Sequence, residues 1–275
     1  MAVRSARTPS TLSAFVLHRY DWSETSLILD LFTREQGRLA VAAKGAKRPY
    51  SQLRPVLLPF QRLQVALGRV PKSEHGEEHA REVQTLRSAE WAGGAAMLTG
   101  APLFSGFYLN ELLMKLLARH DPHPSLFDAY AQTLPLLASP DDVQVQAALR
   151  AFEVVLLRET GVLPDLSIVT LTLEELAAEA NYTVLPEAGV SASRTTDSPL
   201  PAATLIGIQA ALAHGSLAAL QQACMPALPE LKATLRALLH YHLGTPQLRT
   251  RQVMLDLQGL DQDPAPTHTK SSPSP

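Results

Sequence analysis

Cysteine is almost absent from this 275-residue chain: Cys224 stands alone, so no intramolecular disulfide can form and no zinc site built on cysteine pairs is available. Cys224 falls in a helical pattern, where a small apolar side chain belongs in the core. Aromatic residues make up only 5%, too few to fill a core and also line a long stacking surface. Apolar runs stay short of a membrane span, so no membrane partner is expected. Arg19, Asp21 and Glu24 interrupt the stretch after Arg4 and Arg7, so no export signal is visible and the expectation is a cytoplasmic protein. Also missing are a Gly-x-Ser-x-Gly elbow, a catalytic Cys/His pattern and an acidic nuclease cluster. No catalytic residue, cofactor or metal is therefore assigned, and the chain reads as a non-enzyme.

His75-Gly76-Glu77-Glu78-His79 carries two imidazoles and two carboxylates, but Gly76 in a loop removes the helical geometry that would bring both rings to one metal. Lys44-Gly45-Ala46-Lys47-Arg48 lacks the spacing that wraps a triphosphate.

What is present is segregated charge. The formal net charge is only −2, yet residues 1–80 hold twelve Lys or Arg against seven Asp or Glu, and residues 90–275 hold ten against eighteen. From Arg34 to Lys72 nine basic residues face Glu35 alone, the footprint of a polyanion site. The candidate DNA-binding residues are Arg34, Arg38, Lys44, Lys47, Arg48, Arg54, Arg62, Arg69 and Lys72, with the Tyr50 ring available for stacking. Phe32 and Phe60 are assigned to the barrel core, while Tyr20 and Trp22, beside a turn, fit either the core or base stacking.

Two folding units are expected, an α+β arrangement. Period-2 patterning predicts five strands, Leu12–Tyr20, Ser26–Arg34, Arg38–Ala43, Val56–Leu67 and Ala80–Ala89, with Gly37 in a tight turn and Pro59 at a bend or edge. Five short antiparallel strands fit a small barrel over 12–91, of OB or SH3-like type. After Trp91 the period becomes helical. Leu109, Leu112, Leu113, Leu116 and Leu117 mark one face, and helices follow over Ser125–Ala138, Asp141–Thr160, Ala203–His214, Ser216–Cys224, Leu228–Leu243 and Leu248–Gln258. This mainly helical unit is expected over 92–260, with an irregular insert at 161–201 in which Leu166–Leu173 and Tyr182–Leu185 are possible strands. Residues 1–11 and 261–275 are expected to be disordered. Glu111, Glu153 and Glu159 fall on helices, where capping, surface pairing or a polar interhelical contact is the expected role.

Several segments resemble, in order and spacing, the bacterial recombination mediator family RecO: Ala14-Phe15-Val16-Leu17-His18, Trp22-Ser23-Glu24-Thr25-Ser26-Leu27, Leu31-Phe32-Thr33, Ala43-Lys44-Gly45-Ala46, Leu86-Arg87-Ser88-Ala89-Glu90, Tyr108-Leu109-Asn110-Glu111-Leu112-Leu113 and Arg150-Ala151-Phe152-Glu153. The likeness is strong over 12–160 and fainter to 258. It implies a five-stranded OB-fold β-barrel followed by a helical domain, binding of single- and double-stranded DNA and annealing of complementary strands. It also implies partnership with RecR and loading of RecA onto DNA coated by single-stranded-DNA-binding protein. Some members carry a four-cysteine zinc module, whereas Gly161 to Gly189 here contains no cysteine. The family's helical domain docks the acidic tail of the coating protein, which requires an apolar pocket ringed by cations. The cations available for that tail are Lys115, Arg119, Arg150, Arg158, Lys232, Arg236, Arg249 and Arg251, with Lys115/Arg119 and Lys232/Arg236 spaced to share helical faces. The rival reading is a protein–protein adaptor that does not touch DNA, whose binding would lack the steep salt dependence of phosphate contacts.

Overall fold

Runs of β-branched and leucine residues alternating with polar ones extend the first ninety residues into strands, β1 (Thr11–Asp21), β2 (Leu27–Thr33), β3 (Gly37–Ala43), β4 (Gln61–Leu67) and β5 (Val83–Gly94). The computed structural model describes residues 11–68, 83–94, 97–193, 199–244, 248–250 and 252–253. Arg69, Lys72, His75, His79, Arg251, residues 1–10 and the chain after 253 lie outside them. The strands close into a barrel in the order β1-β2-β3-β5-β4, with β3–β5 parallel and the other pairs antiparallel. That is the OB-fold arrangement, and it removes free sheet edges. Val16, Leu29, Leu31, Leu39, Val41, Leu63 and Val65 fill the interior.

Two strand boundaries differ from the sequence reading. Residues 53–58 wind through turns, with the Val56 and Leu57 amides both donating to the Leu53 carbonyl, so β4 starts at Gln61 and not at Val56. Phe60 adopts a positive φ of 65°, which a strand interior cannot accommodate. β5 runs on to Gly94, five residues past the expected end, paired with β4 as far as Gln61.

Among the described residues six α-helices follow: α1 (Ala101–Leu116), α2 (Pro124–Leu136), α3 (Asp142–Glu159), α4 (Ala202–His214), α5 (Leu217–Cys224) and α6 (Leu228–Leu243). Asp141 caps α3, its side chain accepting from the Val143 amide at 3.0 Å, and Asp142 lies in the first turn, where the helix dipole favours negative charge. The insert between α3 and α4 holds a three-stranded sheet, β7 (Gly189–Ala192), β6 (Asn181–Leu185), β8 (Leu200–Pro201). Leu166–Leu173, a possible strand by pattern, forms turns with a single bridge between Ile168 and Glu175. Among the described residues no helix is long and apolar enough to cross a membrane.

Barrel and helices share a core. Phe15, Leu17 and Phe32 project from the outer wall of β1 and β2, where Phe127 of α2 meets Phe15 and Phe32 with ring centroids 5.1 and 5.4 Å away, and Tyr130 meets Phe15 at 5.0 Å. Phe60 turns the same way and packs against Phe107 of α1. Phe32 and Phe60 are therefore buried as expected, but in the joint and not inside the barrel.

The Tyr-Leu-Asn-Glu-Leu-Leu segment of α1 has a job at each polar position. A bulge between Val16 and His18 takes Leu17 out of the β1–β2 register, and Asn110 Nδ2 donates to the Leu17 carbonyl at 3.0 Å. Tyr130 Oη in turn donates to Asn110 Oδ1 at 2.5 Å, so this buried polar chain is satisfied from end to end.

The β2–β3 hairpin tip presses on the chain before α2. Gly37 has φ +69°, and a Cβ there would stand 2.0 Å from the Asp121 carbonyl oxygen. Gly37→Ala is expected to cost at least about 2 kcal/mol, combining left-handed strain with displacement of the joint, and to lower Tm by roughly 4–8 °C. An unchanged Tm would show that the tip does not bear on Asp121.

Candidate nucleic-acid interface

At the end of the barrel reached by β1 and the β3–β4 connection, Arg19, Lys47 and Arg54 line a cleft together with Asp21, Leu27, Ala46 and Leu57. The cleft exists because the basic connection is tied to the Trp22–Ser26 turn. The Lys47 amide donates to the Thr25 carbonyl at 2.9 Å, the Gly45 amide donates to Ser26 Oγ at 3.3 Å, and the Ser26 amide donates to Ser23 Oγ at 3.2 Å. Lys47 Nζ reaches the Ser23 carbonyl at 3.1 Å and Asp21 at 3.0 Å, which fixes its ammonium at the rim. Gly45, at φ +72°, lets the connection reverse tightly. Lys44, Arg48 and Arg54 are exposed and make no ion pair among the described residues. Tyr50 is 95% exposed beside Arg54.

Arg19 is absent from the sequence candidates. Its register partner is Leu29, whose side chain is interior, so Arg19 points along the inside of β1 and emerges at the mouth, where Nη1 donates to the Leu57 carbonyl at 3.3 Å. Alternation gives no signal for it: Leu12, Ala14 and Val16 face inward, so an unbroken period of two would turn Arg19 outward, and the bulge between Val16 and His18 reverses that.

Three candidates turn away from the mouth. Arg34 makes a bidentate pair with Asp128 of α2, both contacts at 2.9 Å. Arg38 bonds Asp30 at 3.2 Å and donates to the carbonyls of Met114 and Leu117, capping the end of α1. Arg62 sits 5.9 Å over the Phe127 ring. All three bind the barrel to the helices, so the seven described cations of the basic stretch divide between a joint (Arg34, Arg38, Arg62) and the connection at the mouth (Lys44, Lys47, Arg48, Arg54).

A second cluster lies on the helical side. Arg150 of α3 with Lys232 and Arg236 of α6 borders a pocket of about 210 Å³ whose apolar wall includes Phe104, Leu149, Leu239 and Leu248. Below it, Tyr108 Oη donates to Glu153 Oε1 at 2.7 Å and Arg150 pairs with the same oxygen at 2.8 Å. Burial raises the Glu153 carboxyl above the ordinary carboxylate range despite Arg150, and raises the Tyr108 phenol, which Glu153 raises further.

Of the other expected tail-binding cations, Arg119, Arg158 and Lys115 have partners away from the pocket. Arg119 follows the end of α1, so it does not share a helical face with Lys115, and its guanidinium is 3.8 Å from Asp30. Arg158 donates to the Leu212 carbonyl, and Lys115 pairs with Glu111 at 3.3 Å. The Arg249 amide donates to Glu111 Oε1 at 2.9 Å, while the amide and hydroxyl of Thr250 donate to Oε2 at 2.9 and 2.8 Å. Burial works to raise the Glu111 carboxyl, but these donors and Lys115 outweigh it and hold the carboxyl below its usual range. Glu111 thus pins the C-terminal segment, whose Leu248 and Thr250 form one side of the pocket.

Cys224 is buried on α5, and burial pushes its thiol up to about 12, far from a reactive thiolate. Among the described residues no group of three His, Cys, Asp or Glu is gathered to hold a metal ion.

Residues 8–92 match the family model described as Recombination protein O N terminal, and residues 100–252 match that described as Recombination protein O C terminal. The chain is 53% identical over 249 residues to the DNA repair protein RecO of Polaromonas naphthalenivorans, spanning 90% of this chain and 96% of that protein. It is 51% identical over 257 residues to that of Variovorax paradoxus, again 90% and 96%, and 48% identical over 267 residues to that of Acidovorax ebreus, 93% and 100%. With both halves matched and half its residues shared across almost the full length of these relatives, the chain belongs to the RecO family of DNA repair and recombination proteins.

Proposed function

We propose that this protein is a recombination mediator that grips the DNA backbone at the barrel mouth and captures the acidic C-terminal tail of single-stranded-DNA-binding protein in the helical pocket. The observation that carries the reading is the convergence of Arg19, Lys47 and Arg54 at one end of the barrel, with Lys44 and Arg48 exposed on the connection that supplies Lys47. Cations at that density neutralise phosphates without reading bases, which suits contact with both single and double strands. Neutralising two strands at one mouth reduces their repulsion and so favours annealing.

The pocket supports the tail assignment on separate grounds. Apolar walls accept a hydrophobic side chain, while Arg150, Lys232 and Arg236 supply donors for carboxylates. Tail capture would bring the mouth to coated DNA, and family membership supports RecR as partner and RecA as the protein subsequently loaded. All these steps exchange non-covalent contacts and need no cofactor.

The substitutions Lys44→Glu, Arg48→Glu and Arg54→Glu, made together, are expected to lower affinity for single-stranded DNA by about 100-fold or more at low salt. Because three phosphate contacts are lost, the slope of log affinity against log salt should flatten by roughly 2. These side chains are exposed, so thermal melting should be unchanged. Unaltered affinity in the folded variant would sink the mouth assignment and favour an adaptor that meets only proteins.

A further inference from the structure

The cations of the barrel mouth address phosphates, but the rings beside it have an arrangement of their own. Past the bulge, β1 pairs regularly with β2, placing His18 and Tyr20 on the outer wall in register with Asp30 and Ile28. Trp22 follows at the same parity, where the chain leaves β1. Nearer the joint this wall is covered by α2, whereas here Tyr20 is 42% exposed and Trp22 57%. Tyr20 is nonetheless held in place. The His18 ring stands edge-on to it at 4.4 Å, and its hydroxyl lies beside the buried Asp30, which together with burial raises the phenol's pKa. The strip is flanked by cations at both ends. Lys47 is anchored on the Ser23 carbonyl just beyond Trp22, and Arg119, 41% exposed, overhangs Asp30.

We propose that the outer wall of β1 from His18 to Trp22 stacks the unpaired bases of a DNA strand whose phosphates lie on the flanking cations. The proposal rests on the reading of the barrel mouth as a phosphate site and extends that site along the wall toward the helices. Backbone positions two residues apart in extended chain are separated by roughly 7 Å, so Tyr20 and Trp22 can each offer a face to neighbouring bases of an extended single strand, while His18, edge-on to Tyr20 at 4.4 Å, orients the Tyr20 ring and takes no base between them. A duplex cannot use the strip, because its base faces already cover one another. Stacking occupies faces and leaves the pairing edges open, so a strand held this way stays able to meet its complement. Anchoring Tyr20 before the strand arrives spares the ordering cost at binding.

The test uses the full chain with three probes of equal length: a thymidine oligonucleotide, an abasic oligomer with the same phosphates, and a duplex. Replacing Tyr20 and Trp22 together by alanine is expected to weaken thymidine binding between about 10- and 1,000-fold while leaving abasic and duplex binding within about twofold. Tyr20→Phe with Trp22→Phe should restore most of the loss. Equal losses on all three probes, or none on any, would overturn the strip. The second result, with the charge-reversed mouth variant still defective, would leave the phosphate reading intact and assign the rings to a protein partner. No binding of any probe by the parent protein would overturn both. Should the alanine variant fail to fold, Trp22 fluorescence in a Trp91→Phe background decides between the same outcomes. Quenching by the thymidine probe and not by the abasic one supports stacking, and equal responses refute it.

Discussion

Glu153→Ala is expected to lower the unfolding free energy by about 3–5 kcal/mol, because it leaves the buried Arg150 guanidinium without its counter-ion. Glu153 is 0% exposed, and its Oε1 serves both Arg150 and the Tyr108 hydroxyl, so one truncation removes an ion pair and a hydrogen bond under the pocket. Replacing Arg150 and Glu153 together by Met and Leu should cost less than the single change, since desolvating the pair costs about as much as their attraction returns and what remains is the Tyr108 hydroxyl without its acceptor, about 1–3 kcal/mol. That double variant should still lose affinity for an acidic peptide. The pH dependence has a defined sign. Burial raises the folded-state pKa of Glu153, so its contribution is fullest below the unfolded value and declines as pH rises through the raised one. Glu153→Gln removes this titration, and its stability deficit should shrink with rising pH. Chemical denaturation at several pH values reads both effects. A Glu153→Ala deficit below about 1 kcal/mol would mean that water reaches Arg150.

Phe127→Ala should cost a comparable amount, about 3–5 kcal/mol, for a different reason. The ring is fully buried between Phe15 and Phe32 of the barrel and sits beneath Arg62, so its removal opens a cavity in the joint and not in either unit's own interior. The expected signature is loss of coupling. The parent should unfold in one transition, and the variant should show barrel and helices melting separately by near-ultraviolet and far-ultraviolet circular dichroism. Coincident transitions with a small shift would show that Arg34–Asp128 and Arg38 suffice to hold the joint.

Patterning makes the five strands, the helices and the Lys44–Arg48 connection legible, because period 2 and period 3.6 are local properties. It does not say which wall of the barrel is covered. Phe32 and Phe60 read as interior since an isolated barrel has nowhere else to bury a ring, and only α1 and α2 supply the alternative. The same blindness counts Arg34, Arg38 and Arg62 with the mouth. Their charges are local facts, but their partners Asp128, the α1 carbonyls and Phe127 lie far along the chain. Arg19 escapes for the converse reason, since one cation in an apolar strand looks like an interruption until the register sends it along the inside to the barrel's end. Of the eight helical cations, spacing correctly pairs Lys232 with Arg236, and both line the pocket with Arg150. It pairs Lys115 with Arg119 wrongly because the helix ends at Leu116 between them.

The shared core also sets an order of events during synthesis. Phe15 and Phe32 leave the ribosome long before Phe127, which lies 95 residues after Phe32. At about 5–20 residues per second, the nascent chain carries those two rings uncovered for roughly 5–20 s, and the barrel, whose last strand ends at Gly94, displays them for about 2–7 s of that interval before Phe127 follows. Through that interval the newborn chain carries a sticky aromatic face, and a chaperone that shields β1 and β2 would matter more to its yield than one acting on the finished protein.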